Sequence, residues 1–88
     1  LMLLGLDLGS SSVKACLVDA DTRRVLAAAQ SPDSEMPIQA PQSGWAEQDP
    51  EAWWQHAVVA VHRVLAACGR PASEVKAVGI GYQMHGLV

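Results

Sequence analysis

The run Leu4-Gly5-Leu6-Asp7-Leu8-Gly9-Ser10-Ser11-Ser12-Val13-Lys14 constrains this chain more than any other stretch, because it sets one carboxylate near the end of an apolar strand and follows it with a turn of small residues. Leu1 to Leu8 is almost wholly apolar, the pattern of a central strand covered on both faces. A carboxylate there is costly if buried without a partner, so Asp7 has to meet a cation, hydrogen-bond donors or solvent at the strand's end. Gly9 and the serines Ser10, Ser11 and Ser12 are small enough for backbone N–H groups to approach an anion such as a metal-bound phosphate, and they add hydroxyl donors. The same residues also suit a plain β-hairpin whose turn Asp7 merely caps. Taken alone, the stretch leaves both readings open.

Further along, Val13 to Asp19 alternates, with Val13, Ala15 and Leu17 on one side and Lys14, Cys16 and Val18 on the other, as in a neighbouring strand. Asp19-Ala20-Asp21-Thr22 is a turn, and Arg24 to Gln30 returns as a third strand, giving an antiparallel meander. The Ala27-Ala28-Ala29 run inside that strand favours helix and is its weakest part. Ser31 to Gln48, punctuated by Pro32, Pro37, Pro41 and Gly44, is a long loop, and loops of that length in small domains tend to be functional. Asp49-Pro50 then opens a helix with a capping carboxylate and a proline that has no N–H to leave unpaired. Trp54, Ala57, Val58, Val61, Val64, Leu65 and Cys68 recur at helical spacing as its buried stripe, and Gly69 and Pro71 stop it. On this reading Trp54 is core, Trp53 lies at the stripe's edge, and Trp45 packs against the helix start or walls a substrate. His56, His62 and Arg63 fall on the solvated side, with the histidines too far apart to share a metal. Lys76 to Gly81 is a short β-branched strand. A helix between it and the meander implies a right-handed crossover and parallel pairing beside the first strand. The expected class is α/β.

Bulk properties narrow the field. A chain of 88 residues makes one small domain that buries about 60 to 65% of its unfolded surface, so residues 1–88 are expected to be the opening segment of a longer protein. The net charge of −3, with Lys14, Arg23, Arg24, Arg63, Arg70 and Lys76 scattered, argues against nucleic acid or acidic lipid as a partner. Cys16 and Cys68 lie far apart without metal-binding spacing and read as core thiols of a reducing compartment. Leu1 to Leu8 is too short to span a bilayer and has no basic leader, so a membrane helix or signal peptide does not fit and a cytoplasmic location is the default.

The strip Gly81-Tyr82-Gln83-Met84-His85-Gly86 directly follows the last strand. In α/β sheets ligands gather at the carboxyl ends of parallel strands, so the strands ending near Asp7 and Gly81 would deliver their loops to one crevice. Gln83 and His85 can hydrogen-bond hydroxyls and Met84 offers a soft apolar contact, a fair lining for a polyol; equally, His85 can hold a turn carbonyl with no ligand present. Gly79-x-Gly81 lacks the third glycine of a dinucleotide fingerprint, and there is no Walker loop or G-x-S-x-G elbow, so hydrolase chemistry from the serines with His85 and Asp7 is disfavoured.

Taken together, Asp7-Leu8-Gly9-Ser10-Ser11-Ser12-Val13-Lys14, the block Gly44-Trp45-Ala46-Glu47-Gln48-Asp49-Pro50-Glu51-Ala52-Trp53-Trp54 and the strip Gly81 to Gly86 resemble the opening of the FGGY carbohydrate kinase family, specifically its xylulose-phosphorylating members. The first block is shared across the actin-like ATPase superfold, the second narrows the resemblance to sugar kinases, and Gln83-Met84-His85 points to xylulose. The resemblance implies a ribonuclease H-like fold beginning with a three-stranded antiparallel meander, a helix and a parallel strand. It further implies two lobes closing on ATP and sugar, and transfer of the γ-phosphoryl group to the terminal hydroxyl of D-xylulose in the presence of Mg²⁺. On that analogy Asp7 lies near the phosphates and their Mg²⁺ in an indirect metal role, Gly9, Ser10 and Ser11 form the phosphate-facing hairpin, Lys14 supports it, and Gln83, Met84 and His85 contact the sugar. The general base and adenosine pocket are expected beyond Val88, the piece alone is expected to be inactive, and homodimerisation is a further expectation for the complete enzyme. Tyr82 stands where relatives often have a small residue, which keeps ribulose, gluconate and glycerol open as acceptors. The other readings are a chaperone-type ATPase lobe without a hydroxyl acceptor and a non-catalytic interaction domain of the same fold.

Overall fold

The computed structural model describes residues 1–34 and 36–82. Strands β1 (Met2–Leu8), β2 (Val13–Asp19) and β3 (Val25–Ser31) precede helix α1 (Pro50–Cys68), a single 3-10 turn at Ala72–Glu74 and strand β4 (Val75–Tyr82). The strands form one sheet in the order β3-β2-β1-β4, antiparallel across the first three and parallel between β1 and β4. This is the meander, helix and parallel strand expected from the sequence.

The third strand begins one residue later than predicted and runs one further. Asp19 is the cause: its carboxylate accepts the Asp21 and Thr22 N–H groups at 2.9 Å, and Arg23 takes a left-handed φ of 62°. The turn therefore reaches Arg24, whose carbonyl accepts the Asp19 N–H. Alanines 27 to 29 stay in β-structure despite their helical propensity, because β3 is held to β2 by a ladder that pairs Ala15 with Ala29 and Cys16 with Ala28.

The helix packs over β3 and β2. Met2, Leu4, Val13, Ala15 and Leu17 on the sheet meet Ala60 and Val64 on the helix, and these residues form the buried core. Both ends of the helix are capped as the sequence predicts. The Asp49 carboxylate accepts the Glu51 N–H at 3.0 Å, and Gly69, at φ 75°, donates its N–H to the Leu65 carbonyl.

Most of the predicted stripe holds, with Val64 buried and Ala57, Val61, Leu65 and Cys68 packed against the core, but it is rotated at its margin. Ala60, absent from the predicted stripe, is fully buried, whereas Trp54 is 65% exposed and not core. The run Ala57-Val58-Val59-Ala60-Val61 is apolar all round, so periodicity alone could not say which side faces the sheet. Packing chooses the small Ala60 for the close approach. The same rotation half-buries His56, predicted to be solvated, and its Nδ1 lies 2.8 Å from the hydroxyl of the buried Ser31. Arg63 is exposed as expected, but its guanidinium donates to the Gln30 carbonyl at 2.8 Å and pins the helix to β3. Both cysteines are free and half-buried, with Cys68 Sγ 3.6 Å from Met2 Sδ.

Two expectations follow, both for the full-length protein. Leu17 is fully buried, so Leu17→Ala is expected to cost about 2–5 kcal/mol, read as a lower unfolding midpoint in denaturant. Asp19 also pairs with Arg70 at 3.1 Å, and its backbone donors together with that guanidinium hold its carboxyl down from 3.8 to about 2. A depressed folded-state pKa stabilises the fold above the unfolded value and is lost as pH falls through the folded one. Stability should therefore decline between about pH 4 and 2 through this group. Asp19→Asn should flatten that part of the pH–stability profile.

Candidate functional site at the carboxyl ends of the parallel strands

The parallel register sets Asp7 beside Gly81 and Leu8 beside Tyr82, so β1 and β4 end flush. On its other side β1 pairs Asp7 with Lys14 and Leu8 with Val13. Residues Gly9 to Ser12 therefore form a short hairpin tip at the carboxyl end of the central strand. Gly9 donates its N–H to the Ser12 carbonyl at 3.0 Å, and a Cβ at Gly9 would stand 3.2 Å from that same oxygen. Such close approach is what favours glycine here.

The tip's hydrogen bonds are unevenly divided. All three serine carbonyls are engaged: Ser12 by the Gly9 N–H, Ser11 by the Met36 N–H at 2.8 Å, and Ser10 by the Gln48 side-chain amide. The N–H groups of Ser10, Ser11 and Ser12 donate to no acceptor among the described residues. Ser10 and Ser11 are exposed. The result is a cluster of backbone donors without an acceptor among the described residues, a few residues from an acidic side chain.

Asp7 and Lys14 are both exposed, on the sheet face that α1 leaves open. Among the described residues neither takes part in an ion pair within 4.0 Å. With Gly5, Cys16, Ala28 and Gln30 they line an open cavity of about 600 Å³. The structure thus brings together Asp7, Gly9, Ser10, Ser11 and Lys14. Gln83, Met84 and His85 lie outside the described residues, and the strand that leads into them ends alongside Leu8.

Sequence reasoning missed the residues that hold the hairpin from outside. In the sequence Gln48 reads as the end of a polar loop and as part of the block that resembles sugar kinases, with no structural role, yet its side chain reaches from the start of α1 to Ser10, while its Oε1 accepts the Trp53 Nε1–H at 3.1 Å. Met36, only 4% exposed within a loop read as polar, was the available signal that this loop folds back onto the body. A bridge between Gln39 and Glu47 gives the loop further internal order.

Comparison with known proteins places the chain in a family. Residues 2–88 match the N-terminal domain of the FGGY family of carbohydrate kinases. A xylulose kinase of Streptomyces coelicolor is 40% identical over 88 residues, covering 99% of this chain and 16% of the relative. A glycerol kinase of Allorhizobium ampelinum is 35% identical over 85 residues, covering 97% and 16%. A crystal structure described as a xyloylose kinase from Brucella ovis superposes with a TM-score of 0.86 at 38% identity, over 98% of this chain and 17% of that one. The chain thus spans about one-sixth of the length of these relatives. Its four-stranded mixed sheet with one helix has the actin-like, ribonuclease H-like architecture of those kinase domains, and the chain belongs to the FGGY family of carbohydrate kinases.

Proposed function

We propose that the complete protein transfers the γ-phosphoryl group of Mg·ATP to a sugar hydroxyl, with D-xylulose as the acceptor. The observation that carries the reading is the hairpin tip, whose serine carbonyls are all occupied while its serine N–H groups have no acceptor among the described residues, next to the carboxylate of Asp7. Phosphoryl transfer depends on in-line positioning and on neutralising spreading negative charge more than on covalent help, and backbone donors with a metal-directing carboxylate suit both needs. In this reading the N–H groups of Ser10 and Ser11 hold phosphate oxygens and Gly9 keeps the turn tight. Lys14, opposite Asp7, supplies a cation to the same end of the sheet.

The residues present fit Mg²⁺. The ion is usually bound through one or two carboxylates together with substrate phosphates, and Asp7 is a hard oxygen donor with no ion-pair partner among the described residues. Bound there, the ion would offset phosphate charge. The acceptor strip Gln83, Met84 and His85 would offer hydroxyl partners and an apolar contact on the β4 side.

Xylulose is favoured as acceptor by the identity to xylulose kinases and by Gln83-Met84-His85, and the glycerol kinase match makes glycerol the first competitor to test. A panel of xylulose, ribulose, gluconate and glycerol with the full-length protein should give the highest kcat/KM for xylulose. Asp7→Asn should lower kcat by about 10²- to 10³-fold with little change in the sugar KM. Unchanged turnover at saturating Mg·ATP would remove Asp7 from the mechanism. His85→Ala should chiefly raise the sugar KM; an effect confined to the ATP parameters would refute its assignment.

A further inference from the structure

The structure assigns to Gln48 a positioning role: its side-chain amide holds the Ser10 carbonyl and thereby aims the Ser11 N–H at the incoming phosphate. The inference rests on the kinase reading above and adds a residue to it. Among the described residues the only cis peptide is Ser31–Pro32, so the Ser10–Ser11 unit is trans and planar. Its carbonyl and N–H must point in opposite directions. Whatever fixes the Ser10 oxygen therefore fixes the Ser11 N–H, and here that is Gln48 Nε2. Met36 does the same for the next unit, its N–H holding the Ser11 carbonyl and so directing the Ser12 N–H.

The chemistry at position 48 requires an amide. The indole Nε1–H of Trp53 can only donate, so the Gln48 atom facing it is the oxygen, at 3.1 Å. The other end is then the –NH₂ group, which faces the Ser10 carbonyl, a group that can only accept. Glutamate has nearly the same shape, but it would turn a carboxylate oxygen towards that carbonyl and repel it. Alanine would leave the carbonyl without its donor. Trp53 sits in the first turns of α1, so the relay ties the orientation of the hairpin tip to the packed helix.

The test uses the full-length enzyme carrying Gln48→Glu, Gln48→Ala or Trp53→Phe, with Mg·ATP affinity measured calorimetrically beside the steady-state parameters and the melting temperature. Gln48→Glu and Gln48→Ala should weaken Mg·ATP, in Kd and in kcat/KM for ATP, by about tenfold to a hundredfold, the usual scale for losing a hydrogen bond to a charged group. The sugar KM should stay within about twofold and the melting temperature within a few degrees, as for a surface hydrogen bond. Trp53→Phe should give a smaller loss of the same kind, because the amide is then free to turn over. Wild-type Mg·ATP affinity in Gln48→Glu overturns the inference. So does a loss shared equally by both substrates together with a lowered melting temperature, which would mark Gln48 as merely structural. If the wild type binds Mg·ATP but phosphorylates no sugar, the kinase reading fails while the affinity of the Gln48 variants still decides this one. A wild type that binds no Mg·ATP overturns both.

Discussion

The pairing of β1 on both of its edges is the constraint on which the rest depends. Antiparallel bonding to β2 closes the hairpin at its carboxyl end, and parallel bonding to β4 brings a second strand out at the same level. A shift of one residue in either ladder would carry Asp7 to the other side of the pleat and leave the tip without its acid. The core enforces the register. Met2 and Leu4 are buried on one face of β1, and they alternate with Leu3, Gly5 and Asp7 on the other. The apolar half of the strand thus fixes the position of its charged residue.

The second determinant is the long connection between β3 and α1. Among its described residues it carries no strand or helix, only the isolated Gln39–Glu47 bridge, yet it supplies two of the three donors that occupy the serine carbonyls of the hairpin. The buried Met36, whose N–H donates to the Ser11 carbonyl, keeps it against the body, and the capped start of α1 ends it at a defined place. An irregular segment can give lasting orientation in this way, provided both of its ends are anchored in packed structure.

The strands, the helix and its caps were legible in the sequence because each rests on local chemistry: alternation, a carboxylate before proline, a glycine at a left-handed cap. The helix stripe was legible except at its margin, since a run of five apolar residues has no phase, and packing against the sheet decides that Ala60 rather than Trp54 turns inward. Asp7, Gly9 and the serines were readable as one tight turn at the end of the first strand because they are contiguous. Gln48 was not, because its role comes from contacts to residues 38 positions before and five after it. A pattern in one window cannot contain a relationship between three.

The sheet has a further consequence at its outer border. Among the described residues β4 pairs with β1 on one side only, and Val78, Ile80 and Tyr82 are exposed by 54%, 59% and 77%. A border strand of eight residues with bulky apolar side chains and one lysine, Lys76, lacks the charges and prolines that usually stop such borders from recruiting a strand from another molecule. An edge of this kind is suited to pairing with a further strand laid beside it.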